Sequence, residues 1–226
     1  MDIFYSIVNF FVRGGAFMFP ILLVAAVGGA IAVERYITLT RLRVSNRGAW
    51  SRVEPVLMSG DFEKARDITS KDQTAVSRLL SMGLALQGAV RRRDDVEKAM
   101  EESMMEIIPK LEKRTHYLAT FANLATLLGL LGTVSGLIHA FAAVATVNPA
   151  EKANLLSASI SEAMNCTAFG LMTAVPLLFV HALLQTKTTE LIDSLETAAV
   201  KFMNALANRQ AARVQSQSHL QIAKAG

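Results

Sequence analysis

Glu162 is the residue that most needs explaining. It stands in a run, 155–185, that carries no other Asp, Glu, Lys or Arg. A charged side chain at the centre of a bilayer helix costs roughly 2.5–3.5 kcal/mol even on the lenient insertion scale. Such a carboxyl must be protonated, bound to a cation, wetted by a cavity or paired with another chain, and each option suggests an ion path. The plain alternative is an interfacial Glu near the end of its span. For a helix starting at Leu155, Glu162 lies about 10 Å in, at 1.5 Å per residue, below the headgroups but above the midplane.

Other polar groups share its surroundings. The charge-free stretch before it holds Thr120, Asn123, Thr126, Thr133, Ser135, His139 and Thr146, and its own run adds Ser157, Ser159, Ser161, Asn165, Thr167 and Thr173. Polar groups in lipid must face protein or water, so these two helices line something. Asn165, Thr173 and His139 are candidates to line it with Glu162, and His139 could titrate. Thr133 falls about 21 Å below Val147, and Thr167 about 18 Å below Leu155. Their hydroxyls thus reach similar depth on neighbouring antiparallel helices and could form a polar ring. Yet Thr167 is turned about 140° from Glu162 at 100° per residue, so any shared lumen is wide or the helix irregular. The bland reading of each Thr is a hydroxyl bonded to its own helix carbonyl.

Gly129, Gly132 and Gly136 supply small residues at the spacing that lets helices pack closely in lipid. GLLGTVSG lacks the GK[ST] ending of a phosphate loop. The four His residues are scattered and the one Cys stands alone, which excludes a disulfide framework and offers no metal set. No Ser/His/Asp or Cys/His arrangement makes chemical sense. The chain reads as no enzyme, with no cofactor and no metal.

The elements that must carry these residues are three charge-free windows, 14–33, 115–150 and 163–186, of 20, 36 and 24 residues. A bilayer-spanning helix needs about 20 apolar residues. The chain is 52% hydrophobic and 19% charged, with mean hydropathy +0.34; a soluble domain carries about 25% charge. Disorder is excluded by the same figures. The first window is read as a retained span, because Glu34-Arg35-Tyr36 follows it where a signal peptide would have a small-residue cleavage site. Lys and Arg number sixteen over 35–117 and five in the tail from 186, against Arg13 and Lys152 elsewhere. The positive-inside rule then places the large loop and the C-terminus in the cytoplasm and the N-terminus outside.

The expected order is an interfacial amphipathic segment at 1–13 (or an extension of the first span), transmembrane helix 1 at 14–34 and a cytoplasmic helical region at 35–117. Transmembrane helix 2 follows at 118–147, then a periplasmic loop at 148–154 and transmembrane helix 3 at 155–185. A cytoplasmic helical extension at 186–210 and a flexible tail at 211–226 complete it. Within the loop, Asp61 or Ser59 can cap one helix, Val76 to Leu86 mark a second, and Asp94-Asp95 open a third with Val96, Met100, Met104, Ile107 and Leu111 on one face. The third is expected to run unbroken into the second span, with Pro109 as its only kink. The third span continues into the tail with Leu191, Leu195, Ala198 and Phe202 on one face, so that two spans extend into a cytoplasmic helical bundle. Arg91-Arg92-Arg93 has no interleaved aromatic residues and reads as a solvated turn, not a nucleic-acid site.

ANLATLLGLLGTVSGLIHAF (122–141) and SISEAMNCTAFGLMTAVP (159–176) resemble the two signature spans of the MotA/TolQ/ExbB proton-channel family, above all its ExbB/TolQ branch. VERYITL (33–39) and GDFEKA (60–65) are similar as well. The resemblance implies an all-α membrane protein forming a homo-pentamer around a central lumen, in the inner membrane of a Gram-negative-type bacterium. It implies two single-span ExbD/TolR-type partners in that lumen, each with a membrane Asp, and a TonB- or TolA-like protein beyond them. Proton flow would drive rotation and deliver force to an outer-membrane import or integrity system. By motif, the family's lumen Glu falls on Glu162 and its two Thr positions on Thr133 and Thr167. Asn165, Cys166 and His139 depart from the family's usual residues. The rival readings are a non-conducting scaffold that clamps a partner helix, and a flagellar-type stator, which would want a larger loop and a fourth span.

Overall fold

The computed structural model describes residues 14–86 and 93–225, and every regular element among them is helical. In chain order these are α1 (Met18–Met58), α2 (Phe62–Ser70), α3 (Ala75–Leu86), α4 (Arg93–Glu112), α5 (Thr115–Thr146) and α6 (Pro149–Ala225). The segment 1–13, and Arg91 and Arg92, lie outside the described residues. Stretches long and apolar enough to cross a membrane lie within Met18–Met58, Arg93–Ala145 and Pro149–Arg209. The chain divides into two compact units. One holds the described residues up to Tyr36 with Arg114–Gln185, the other Ile37–Lys113 with the residues from Thr186 on.

In the first unit, between 17% and 33% of each helix's most apolar stretch is buried within the chain. Phe19, Leu23, Leu127, Ile138, Phe141, Met172, Val175 and Phe179 all face outward. So much exposed apolar surface on all three helices fits lipid or other chains as its solvent, not water. Inside, Ile21 and Val24 of α1 pack with Ala122 and Ala125 of α5 and Cys166, Ala174 and Leu177 of α6.

The residues between α5 and α6 are small for a visible reason. An added Cβ at Gly129 would meet the Thr167 and Gly170 backbones at 3.2 and 3.3 Å, and one at Gly136 would meet the Ala163 side chain at 2.8 Å. At Gly132 it would run into the Cys166 sulfur. The numbers fall along α6 as they rise along α5, the register of an antiparallel hairpin turning at Val147–Asn148. Backbones this close leave no room for side chains between them.

Two expectations are corrected here. The pattern of the sequence predicts a second span continuous with the helix before it. Instead Pro109 sits inside α4, and the chain breaks after Glu112, with Arg114 left-handed at φ 67°, ψ −14°. That conformation costs an L-residue roughly 1–2 kcal/mol. Contacts from distant segments hold it: Arg114 Nη1 reaches Glu34 Oε2 at 3.2 Å, Arg35 Nε donates to Thr115 Oγ1 at 3.2 Å, and His181 Nδ1 donates to the Thr115 carbonyl at 3.0 Å. The unbroken helices that contribute to both units are therefore α1 and α6: the third span runs on as expected, and the first span does so in place of the second. α1 runs on because no proline occurs between Glu34 and Glu54. The second difference is at the end of the chain, where α6 continues to Ala225 in place of a loose tail. Ala and Gln, frequent there, are good helix formers.

In the second unit Asp61 caps α2, its carboxylate accepting from the Lys64 amide at 3.1 Å. Val96, Met100, Met104, Ile107 and Leu111 of α4 are buried, as are Leu191, Leu195, Ala198 and Phe202 of α6. Phe202 is fully enclosed, edge-on to Phe62 at 6.3 Å, and leaves no room for a side chain at Gly83. Arg43–Glu190, Arg52–Asp72 and Lys201–Glu54 ion pairs lie at the rim.

Three outcomes follow. Gly170→Ala puts a methyl 2.7 Å from the Ala125 carbonyl oxygen, so the hairpin loses roughly 1–3 kcal/mol in a detergent-unfolding titration followed by circular dichroism. Gly29→Ala, where an added Cβ meets nothing within 4 Å, is neutral or stabilising by up to about 1 kcal/mol in the same titration. Phe202→Ala lowers the urea midpoint of the detergent-solubilised protein by the equivalent of roughly 3–5 kcal/mol.

Candidate functional site

The α5–α6 seam sets the rotation of α6, and thereby the direction of Glu162. Ala163 is seated on Gly136 and Cys166 on Gly132. Glu162, next to Ala163, is turned toward the side where the chain enters α1. There Gly14–Phe17 folds against it. Gly15 has φ +76°, and a Cβ on it would collide with Glu162 Oε1. Only glycine meets both demands, the left-handed backbone and the close approach.

Glu162, His139, Ser135, Ser159, Gly132, Gly136, Ala163 and the 14–17 segment enclose a cavity of about 360 Å3. Its polar lining consists of one carboxylate, one imidazole, two hydroxyls and glycine backbone. No Lys or Arg stands among the described residues that line it. Both Glu162 and His139 remain accessible to solvent in the single chain. His139 lies three residues from Gly136, which faces Ala163; Glu162 is one residue nearer in this antiparallel register, so the two sit about 3 Å apart along the axis.

The threonines go elsewhere. Thr133 donates to its own helix, to the Leu130 carbonyl at 2.7 Å. Thr167 donates across the seam to the Gly129 carbonyl at 2.8 Å. Neither lines the cavity around Glu162. The 140° between Glu162 and Thr167 is thus a division of labour on a regular helix: one side chain meets the cavity and the other meets α5. Thr173 is buried and Asn165 half-buried, both away from this cavity. Gly129, Gly132 and Gly136 all lie on the seam.

Sequence reasoning passed over Gly14, Gly15 and Phe17, whose relevance comes from a contact with a residue almost 150 positions away. The Gly-Gly pair was the available signal, since such dipeptides mark turns. It also passed over His181, which has no histidine partner in sequence but reaches the Thr115 carbonyl.

Comparison with known proteins places these features in a family. Residues 71–197 match the MotA/TolQ/ExbB proton channel family. An ExbB-like biopolymer transport protein of Synechocystis is 30% identical over 189 residues, covering 81% of this chain and 72% of that one. The Tol-Pal system protein TolQ of Haemophilus influenzae is 39% identical over 79 residues, 35% of this chain and 34% of its own length. TolQ of Pseudomonas aeruginosa is 29% identical over 166 residues, 73% of this chain and 64% of its own. The chain therefore spans about a third of one TolQ and under two thirds of the other. The family match takes in α5, the seam, Glu162 and the part of its cavity that α5 and α6 line, and leaves out Gly14–Phe17. This chain, helical in every regular element among the described residues and with three stretches long and apolar enough to cross a membrane, belongs to the MotA/TolQ/ExbB proton channel family, in its ExbB and TolQ branch.

Proposed function

We propose that this protein is the channel-type subunit of an inner-membrane machine that turns ion motive force, carried by protons, into mechanical work. One observation carries the reading: Glu162, alone among Asp, Glu, Lys and Arg in its apolar run, faces a polar cavity on the seam between two membrane helices. An acid kept at that cost in a membrane helix has a task that an apolar residue could not perform.

In this reading the chain assembles as a homo-pentamer with its N-terminus outside and C-terminus in the cytoplasm. Five copies of Glu162 stand around a central lumen, and two copies of a single-span ExbD/TolR-type partner occupy it, each bringing a membrane carboxylate. Thr133 extends the polar path, with Asn165 and Thr173 below it. Thr167 contributes from the seam, where its hydroxyl oxygen keeps acceptor capacity after donating to Gly129. A proton arriving from outside passes by way of Glu162 and then the partner carboxylate toward the cytoplasm. The membrane potential supplies about 2.3 kcal/mol per charge per 100 mV, enough to bias one rotation step. The rotating partner would hand force to a TonB- or TolA-like protein serving the outer membrane. The small-residue seam supports this assignment, because a motor housing must keep its lining helices fixed while the occupant turns.

Glu162→Ala is expected to abolish proton flux in vesicles holding the chain with its co-purified single-span partner, while particle mass and helix content stay unchanged. Undiminished flux in that variant would remove Glu162 from the path.

A further inference from the structure

The cavity beside Glu162 belongs to one subunit. It is built from α5, α6 and the 14–17 segment of the same chain. We propose that it is a side port through which Glu162 exchanges its proton with water, and that His139 is the relaying group. This rests on the reading of Glu162 as an ion-pathway residue and extends it: the carboxyl is served from within its own subunit as well as from the lumen.

The geometry points to a relay for three reasons. His139 and Glu162 line the same cavity from facing helices, offset by less than one helical turn along the axis. Ser135 and Ser159 add hydroxyls on both flanking helices, and each can donate and accept at once. Such groups hold a chain of water in place. Gly15 stands where any larger residue would fill the space beside Oε1, so the segment closes over the carboxylate without displacing it. The groups that titrate here are few. Glu162 faces the cavity from α6, His139 faces it from α5, and Gly14–Phe17 brings none. Cys166 lies one turn deeper, against Gly132, and Arg13 precedes the described residues.

The step balances. The His139 imidazolium gives an N–H proton to the Glu162 carboxylate, leaving neutral imidazole and a neutral carboxylic acid. The imidazole takes its next proton from water in the cavity. The acid then passes its O–H proton to the partner's carboxylate. One proton moves inward per cycle, and His139 and Glu162 return to their starting forms.

The test uses the full chain in bilayer discs and, with its co-purified partner, in vesicles. Carbon-13 spectra follow the titration of Glu162 in the parent and in His139→Gln, and the titration of His139 in the parent and in Glu162→Gln. Two coupled groups shift each other's midpoint by the same amount. In vesicles His139→Ala is expected to cut proton flux at least tenfold, and imidazole added to the outer side to restore it. Midpoints that ignore the partner substitution overturn the proposal. So does unchanged flux in His139→Ala, or a loss that imidazole leaves in place, which would mark His139 as packing. Failure of the underlying reading looks different: full flux in Glu162→Ala with the two titrations still coupled.

Discussion

In a bilayer no hydrophobic force draws one apolar helix to another, since lipid tails are as apolar as leucine. Helices there hold together by close contact and by interhelical hydrogen bonds. α5 and α6 use both. Gly129, Gly132 and Gly136 let the α6 backbone come within van der Waals reach, and Gly170 answers from the other side. At the same level Thr167 donates to the Gly129 carbonyl. Interhelical bonds of this kind average about 0.6 kcal/mol and reach roughly 1.7. The contact is possible only because Gly129 has no side chain to cover its carbonyl. Gly129 thus serves the packing and the hydrogen bond together.

The position of Glu162 follows from this seam. A helix seated at Ala163, Cys166, Thr167 and Gly170 has little freedom to rotate, so the carboxylate direction is settled by its neighbours on the helix. Pre-set direction matters for a group that must trade protons, because transfer needs heavy atoms within about 2.6–3.2 Å or one water away. The turn at Gly14–Phe17 adds a wall on the remaining side. Its left-handed Gly15 shows how local the demand is: a single added methyl would occupy the place of a carboxylate oxygen.

Much of this was legible in the sequence, and the legible part has a common character. The charge-free windows, the isolated Glu162 and the small-residue spacing are properties of single helices, governed by transfer cost and a period of 3.6 residues. The buried faces of α4 and of the late part of α6 were readable for the same reason. The angle between Glu162 and Thr167 was readable as well, though not its meaning, which depends on where α5 lies. What could not be read were contacts between residues far apart in the chain. Nothing near Gly15 announces Glu162. Nothing near Lys113 or Arg114 announces a break, since neither is a helix breaker and the one proline nearby, Pro109, sits comfortably inside α4.

That break is best understood through what holds it. A left-handed Arg114 is unfavourable alone, and a helix started afresh at Thr115 leaves backbone donors without helical partners. Glu34 draws the Arg114 guanidinium to the end of the apolar part of α1, and Arg35, buried beside it, binds the Thr115 hydroxyl. His181 reaches the Thr115 carbonyl from α6. Three helices thus meet at one residue, each through a polar group at the margin of its charge-free stretch. A buried guanidinium is tolerated only where it is bonded, so Arg35 ties α1 to the start of α5 more firmly than an apolar contact would. The seam fixes α5 against α6, and this junction fixes α1 against both. The cavity around Glu162 lies inside the frame those two restraints define.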